Sequence, residues 1–337
     1  MRNKFVICVM VALSFAACKK EDGVKNTGVT QIAVFIPGVL SGSPTYEMLA
    51  GGARKAAGSA QNAEVTVIEA GTVQSEWEAK ITAVAASGKY DLIVSSNPSM
   101  PDIANLAAEK FPQTRYMIMD GMLDGNPAVY TLNYDKKEQA YALGYLAALL
   151  TAEAGGSGVI GLLSAQHYPV LDDIIAPAYL AGAKDADSSS SIDFRITGSW
   201  QDPVKALEFA GDMIESGVKV ILTIAGGGND GVVQAAAEKN AKVLWFDSNA
   251  YAYRPGVIAG CCATYQDKAV EDKLNEFFNK TLPFGHAETV GFRDGYTGFI
   301  DDDPLYISTV SEDIRKKQAA MIEKLLNGDI IPVIHEN

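Results

Sequence analysis

The chain is short of histidine, cysteine and positive charge, and its N-terminal apolar run is too short to cross a membrane. Three His (His167, His286 and His335) among 337 residues leave little material for His-based catalysis or a His-rich metal centre. Four Cys are far too few for a disulfide scaffold. Lys and Arg number 28 against 41 Asp and Glu, a net charge of −13. That balance offers no basic face to displace counterions, which argues against nucleic acid or an anionic membrane surface as a partner. Glycine has no triplet period and 48% of residues are apolar, so collagen-like and disordered classes are excluded as well. What is there is enough chain for two domains, each with its own core.

Residues 1–18 read MRNKFVICVMVALSFAAC. Arg2 and Lys4 precede an apolar run from Phe5 to Phe15, eleven residues against the roughly 20 needed to span a bilayer. Small Ala16 and Ala17 then precede Cys18 and a polar stretch. This is the layout of a secretory signal. Two outcomes stay open: simple cleavage near Ala17, or a lipoprotein box in which Cys18 is lipidated and becomes the mature N-terminus. Phe15 stands where Leu is usual in such a box. Several acyl chains on one Cys make a stable anchor, at about 0.8 kcal/mol per buried methylene. Residues 1–17 are thus expected to be a signal peptide and 18–29 a lipidated tether. Loss of Arg2 and Lys4 with no acid takes 28 basic residues to 26 against 41, a net of −15. Of the remaining cysteines, Cys261 and Cys262 are neighbours on an expected strand and point to opposite faces. They read as two small hydrophobes, with a strained vicinal disulfide as the alternative.

Short apolar runs alternate with helical periodicity along the rest of the chain. The runs lie at 31–36, 65–70, 91–95, 115–119 and 129–133, then at 158–163, 193–197, 218–224, 242–246 and 256–260. Helices are expected at 46–60, 75–87, 101–110, 136–151, 170–184, 203–216, 230–239, 266–279 and 311–327. Continuous apolar strands alternating with helices make parallel sheets covered on both faces. The fold class is therefore α/β, in two similar doubly wound lobes. Segment 280–305 reads as irregular, and its Asp301-Asp302-Asp303 run lacks the spacing of a calcium loop.

Ligands of such sheets sit beyond the carboxyl ends of the strands. The loops there contain Ser43, Thr45, Tyr46, Asn97, Asp120, Tyr168, Trp200, Asp202, Gly226, Gly227, Asn229, Asp247, Asn249 and Tyr251, and almost no Lys or Arg. Flat apolar faces with amides and carboxylates suit an aromatic ring joined to a polyol. A phosphate or carboxylate ligand would call for guanidinium or ammonium partners. The Gly-rich AGGGNDG at 225–231 lacks the Gly-Lys-Ser/Thr ending of a phosphate loop. His167 has no suitably spaced nucleophile and is expected at a rim. Asp120 and Asp247 each end an apolar strand, where a carboxylate either caps the next turn or faces the cleft.

The stretch from Gly198 to Asn249, with KFPQTRYMIMDG (110–121), YALGYLAALL (141–150) and IGLLSAQHYP (160–169), resembles the basic membrane protein family. That family includes the purine nucleoside receptor lipoproteins and the riboflavin-binding lipoproteins of spirochaetes. The resemblance implies a substrate-binding lipoprotein of an ABC importer with the type I periplasmic-binding fold and a ligand cleft between two lobes. It also implies three chain crossings. Lobe 1 would take 30–134 with about 262–295, and lobe 2 would take 135–261 with about 296–337. Asp120 and Asp247 match positions that bind sugar hydroxyls or base in relatives, Trp200 takes the place of a stacking Phe, and Gly226 and Gly227 line the cleft. The chain departs from its nucleoside-binding relatives at two places. SGSPTYEML replaces their Asp-Asp-x-Ser-Phe-Asn-type segment, and Ala263 stands near a ligand-contacting Lys. More aromatic and small residues in the cleft favour a wider heterocycle, so riboflavin is the expected cargo and a purine nucleoside the alternative. No cofactor and no metal are expected. The expected partners are an ABC permease and, through Cys18, a bacterial membrane on its periplasmic side. An acid-pair hydrolase or a sensor for a membrane kinase is the rival from another class.

Overall fold

The computed structural model describes residues 28–332, so the expected signal peptide and the expected lipidation at Cys18 lie outside the described residues. The described residues form two six-stranded sheets. The first has β1 (Thr30–Ile36), β2 (Ala63–Glu69), β3 (Leu92–Ser96), β4 (Arg115–Met119), β5 (Val129–Tyr134) and β11 (Ala287–Val290), in the order β11-β5-β4-β3-β1-β2. The second has β6 (Val159–Ser164), β7 (Ser191–Ile196), β8 (Val220–Ile224), β9 (Lys242–Trp245), β10 (Ile258–Thr264) and β12 (Thr297–Phe299), in the order β12-β10-β9-β8-β6-β7. The two orders are the same pattern, so β4 corresponds to β9 and β5 to β10. Only β12 runs antiparallel to its neighbour among these pairs.

Among the described residues, ten α-helices cover the sheets: α1 (Pro44–Ser59), α2 (Trp77–Ala86), α3 (Met100–Lys110), α4 (Lys136–Glu153), α5 (Ala176–Ala186), α6 (Pro203–Glu215), α7 (Asn229–Glu238), α8 (Gln266–Phe278), α9 (Pro304–Thr309) and α10 (Glu312–Asn327). The helix expected at 170–184 begins as a π turn, Leu171–Ile175, before α5. Gly328 ends α10 in the left-handed conformation, φ 77°, which a residue without Cβ adopts at least cost. Segment 280–305 is not irregular throughout: it contains β11 and β12, with α9 starting inside it. AETV and TGF are too short to display a strand period.

The chain crosses between sheets after β5, after β10 and between β11 and β12. After β5 it enters α4, which packs on α5 and α10 of the second lobe; after β10 it enters α8, which packs on α1 of the first. Because β10 continues in the second sheet to Thr264, residues 262–264 belong with lobe 2 and the second crossing falls later than the expected boundary. Both crossing helices press close to a partner through glycine. A Cβ on Gly144 would overlap the Tyr179 carbonyl oxygen, one on Gly182 that of Tyr141, and one on Gly52 that of Asp267. Gly144→Ala should therefore cost about 2–3 kcal/mol, read as a lower midpoint in urea. An unchanged midpoint would show that α4 and α5 can part freely.

Lys273 of α8 fastens the late strand β11. Its Nζ lies 2.8 Å from Glu288 and 3.0 Å from Glu276, and Tyr130 donates to Glu288 at 2.7 Å. Burial pushes Glu288 up, but the Lys273 ammonium and the Tyr130 hydroxyl outweigh it and hold the carboxyl below its usual range. A depressed carboxylate contributes stability above its unfolded pKa and loses it as pH falls through the folded value. Glu288→Gln should flatten the acid limb of the stability profile below about pH 4. An acid limb identical to wild type would remove Glu288 from the cause.

Cys261 and Cys262 are free and buried. Burial pushes the Cys261 thiol up to about 12, so it packs as a small neutral group.

Candidate functional site

At the floor of the cleft, Lys136 places its ammonium 3.4 Å from Asp120 and 3.4 Å from Asp247. Asp120 follows β4 directly and Asp247 stands two residues beyond β9, matching ends of the two sheets. Both adopt left-handed backbone, φ 57° and 67°. An L-residue there stores strain, and Asp tolerates it better than most. Lys136 is the first residue of α4, set by the crossing from β5. Burial pulls its pKa down, but the two carboxylates more than reverse this and hold it above the ordinary value. Thr264 donates from Oγ to Asp247 at 3.1 Å and from its backbone N–H to the Asp247 carbonyl at 3.1 Å. The cleft here encloses about 40 Å³, lined by Thr45, Met48, Asp120, Tyr134, Lys136, Asp247, Thr264 and Gln266. That is room for little more than one water.

Gln266 opens α8 as Lys136 opens α4, in the equivalent crossing. Its amide donates to the Thr45 carbonyl at 2.7 Å and accepts from Ser96 Oγ at 2.8 Å. One crossing thus carries a cation into the cleft and the other a neutral amide.

An aromatic pair stands beside this polar floor. The rings of Tyr168 and Trp200 lie 6.1 Å apart at 42°, and Trp200 is 39% exposed. Burial raises Tyr168 to about 12, with Asp247 raising it further, Lys136 opposing and Asp120 adding to it. Tyr168 therefore feels all three charges while touching Trp200. Gly226, φ 60°, and Gly227 fit under Trp200: the Gly227 N–H donates to the Trp200 carbonyl at 2.9 Å, and a Cβ on Gly226 would press on the indole.

The structure brings together Asp120, Asp247 and Thr45 at the floor, and Tyr168, Trp200, Gly226 and Gly227 beside it. Several other expected contacts are engaged elsewhere. Tyr251, expected to stack on ligand, is fully buried in the second lobe; its hydroxyl donates to the Ile300 carbonyl at 2.9 Å and accepts from the Cys261 N–H at 3.0 Å. Tyr46 packs against the first-lobe core beside Gly38 and donates to the Pro37 carbonyl at 3.1 Å. Asp202 caps α6, accepting from the Lys205 N–H at 3.0 Å. Asn229 accepts from Thr223 Oγ at 2.7 Å and the Ala225 N–H at 2.8 Å, bracing the glycine turn. Asn249 donates to Asp303 at 3.0 Å and accepts from the Tyr251 N–H at 3.1 Å. Asn97 holds the Ser99 N–H at 2.9 Å and reaches Tyr46 at 3.5 Å. Ser43 precedes α1 without a side-chain cap. His167 is exposed and pairs with Asp172 at 2.8 Å.

The expectation of a cleft almost free of cations is corrected by Lys136. It stands outside the strand-exit loops, because β5 passes directly into a crossing helix. The signal was available in Tyr134-Asp135-Lys136, where a cation opens the helix after a strand. Among the described residues no cluster of His, Cys, Asp and Glu could hold a metal, and no helix is long and apolar enough to cross a membrane.

Two similar lobes joined by three crossings, with polar and aromatic groups facing the cleft between them, define a solute-binding protein of the type I periplasmic kind. A solute-binding protein of an ABC transporter from Aeropyrum pernix superimposes with a TM-score of 0.77 at 20% identity, covering 91% of this chain and 94% of its own. Another from Conexibacter woesei does so at 0.70 and 18%, covering 91% and 99%. More particularly, residues 29–328 match the family described as ABC transporter substrate-binding protein PnrA-like, and the chain belongs to it. Basic membrane protein A of Borreliella burgdorferi is 24% identical over 98% of this chain and 95% of its own. The ABC transporter nucleoside-binding protein BmpA of Lactococcus lactis is 28% identical over 45% of this chain and 42% of its own.

Lys136 is the cation between two carboxylates from opposite sheets. Lys136→Met should cost about 1–2 kcal/mol, less than a fully buried pair because Asp247 is half exposed. It should also enlarge the radius of gyration in small-angle scattering as the lobes part. An unchanged denaturation midpoint with an unchanged radius would show that the bridge does not hold the lobes.

Proposed function

We propose that this substrate-binding protein captures a purine nucleoside and delivers it unchanged to an ABC permease. The observation that carries this is the Tyr168–Trp200 aromatic pair, whose tyrosine feels the charges of Asp247, Lys136 and Asp120. A flat heterocycle fits against the aromatic pair, and its sugar hydroxyls reach the charged floor. Two carboxylates against one ammonium leave the floor at a net −1, which disfavours a phosphorylated ligand. The relative from Lactococcus lactis, named as nucleoside-binding, supports the same choice. The case for riboflavin rests on more aromatic and small residues in the cleft and on two missing nucleoside contacts. Tyr251 is committed to the core and Tyr46 to its own loop, which removes two of the expected cleft aromatics, so riboflavin becomes the comparison ligand. Because the cleft encloses only about 40 Å³, the lobes part to admit the ligand, and closure is driven by its higher affinity for the closed state. Binding without turnover follows from the family's role. Lipidation at Cys18 would hold the protein at the outer face of the cytoplasmic membrane, next to its permease.

Calorimetric titration with inosine, guanosine, adenosine and riboflavin tests this, with mass spectrometry of the recovered ligand. Purine nucleosides should bind and return intact. A yellow protein that retains flavin and ignores nucleosides would overturn the proposal, and released base plus sugar would establish an enzyme instead. Trp200→Ala should weaken nucleoside binding about ten- to hundredfold, the worth of one stacked base.

A further inference from the structure

The first and third crossings run side by side, and each passes between the lobes within one or two residues. Val290 ends β11 in the core of the first lobe, whereas Phe292 is buried in the core of the second. Only Gly291 stands between them. The next residue, Arg293, donates from Nε to the Leu325 carbonyl near the end of α10 at 3.3 Å. In the first crossing, the Asp135 N–H donates to the Val290 carbonyl at 2.7 Å, on the side of the first lobe. Three residues on, Glu138 of α4 accepts from the Phe292 N–H at 2.6 Å, on the side of the second. Lys136 and Lys137 lie between these two fastenings, as Gly291 does opposite. A Cβ on Gly291 would overlap the Glu138 carboxylate, so this close approach requires glycine. Tyr296 reaches back to Asp272 of α8, donating at 3.1 Å, a side-chain tether across the boundary. Among the described residues a cavity of about 220 Å³ borders both segments, which leaves room for them to turn.

We infer that Gly291 is the pivot of lobe closure in the third crossing and that Glu138 is its positioning residue. The two fastenings hold each side of the pivot to its own lobe. Rotation is thereby confined to Gly291 and to Lys136–Lys137, and the lobes open and close about one axis. The residue that carries the cation of the floor sits on that axis, so closure returns the ammonium to the same place between Asp120 and Asp247. Burial pushes the Glu138 carboxyl above its usual range; the Phe292 N–H opposes this, Asp135 adds to it, Arg293 opposes and Asp294 adds. An acid raised in this way costs stability while it is ionised, and the cost fades as pH falls through the folded value. A charge kept there at a cost serves position rather than stability. The inference rests on capture by closing lobes, whichever ligand is captured.

The test compares wild type, Glu138→Ala and Glu138→Gln by three measurements: radius of gyration without ligand, hydrogen exchange at the Phe292 amide, and inosine affinity. Glu138→Ala should enlarge the radius, speed the exchange and weaken inosine, the last two by about tenfold, the worth of one hydrogen bond to a charged acceptor. Glu138→Gln retains the acceptor and drops the buried charge. It should melt no lower than wild type at neutral pH and keep the wild-type radius, exchange and affinity. Gly291→Ala pushes the carboxylate aside and should reproduce Glu138→Ala, and it carries the test if that variant does not fold. In a Glu138→Ala background the added methyl has room, so Gly291→Ala should then have a smaller effect. A Glu138→Ala protein that melts lower but keeps its radius and affinity overturns the pivot, as does a Glu138→Gln protein as loose as Glu138→Ala. Inosine that fails to bind the wild type removes the nucleoside reading, while radius and exchange still decide the pivot.

Discussion

An ammonium held between two carboxylates from opposite sheets is the interaction around which the molecule is arranged. Lys136 lies 3.4 Å from both Asp120 and Asp247, and it stands there because β5 passes straight into the helix that begins the second lobe. Chain crossing and charge neutralisation therefore happen at one residue. Without the cation, two carboxylates on strained backbone would face each other across a narrow gap, and like charges at close range repel. With it, the gap closes to about 40 Å³. Any ligand that enters must offer these three groups something at least as good as they offer one another.

The two lobes repeat one pattern, and the site sits where the repeat is broken. Strand order matches from sheet to sheet, the paired aspartates occupy corresponding strand ends, and a crossing helix packs closely on a neighbour in each lobe. Lys136 and Gln266 take equivalent places but differ in charge. Gln266 spends its amide on Thr45 and Ser96 of its own lobe, bracing the entry to α1. Lys136 reaches across. Symmetry sets the frame, and one departure from it supplies the polarity of the floor.

The apolar runs were legible as strands because a strand covered on both faces must be apolar along its length. Asp120 and Asp247 were legible as well, each closing such a run. Tyr134 and Lys136 were not, since a strand that leaves its sheet for another lobe looks like any other strand followed by a helix. Tyr251 and Asn249 were misplaced for a related reason. Their loop is drawn inward by Ile300, Asp303 and Tyr306, about fifty residues further along, and no local pattern announces a contact at that distance. β11 and β12 are short enough that only their neighbours make them strands.

The late edge strand has a consequence for how the molecule is made. β11 pairs with β5 across more than 150 residues of intervening chain, and α8 reaches α1 only after the second sheet has been nearly completed. Neither half of the polypeptide contains a whole lobe. A chain emerging amino end first must hold an unfinished first sheet, with the β5 edge bare, until almost all of the second has been delivered. Such long-range closure slows folding and leaves an open edge to be guarded. The two lobes reach completion nearly together, in the last fifth of the chain.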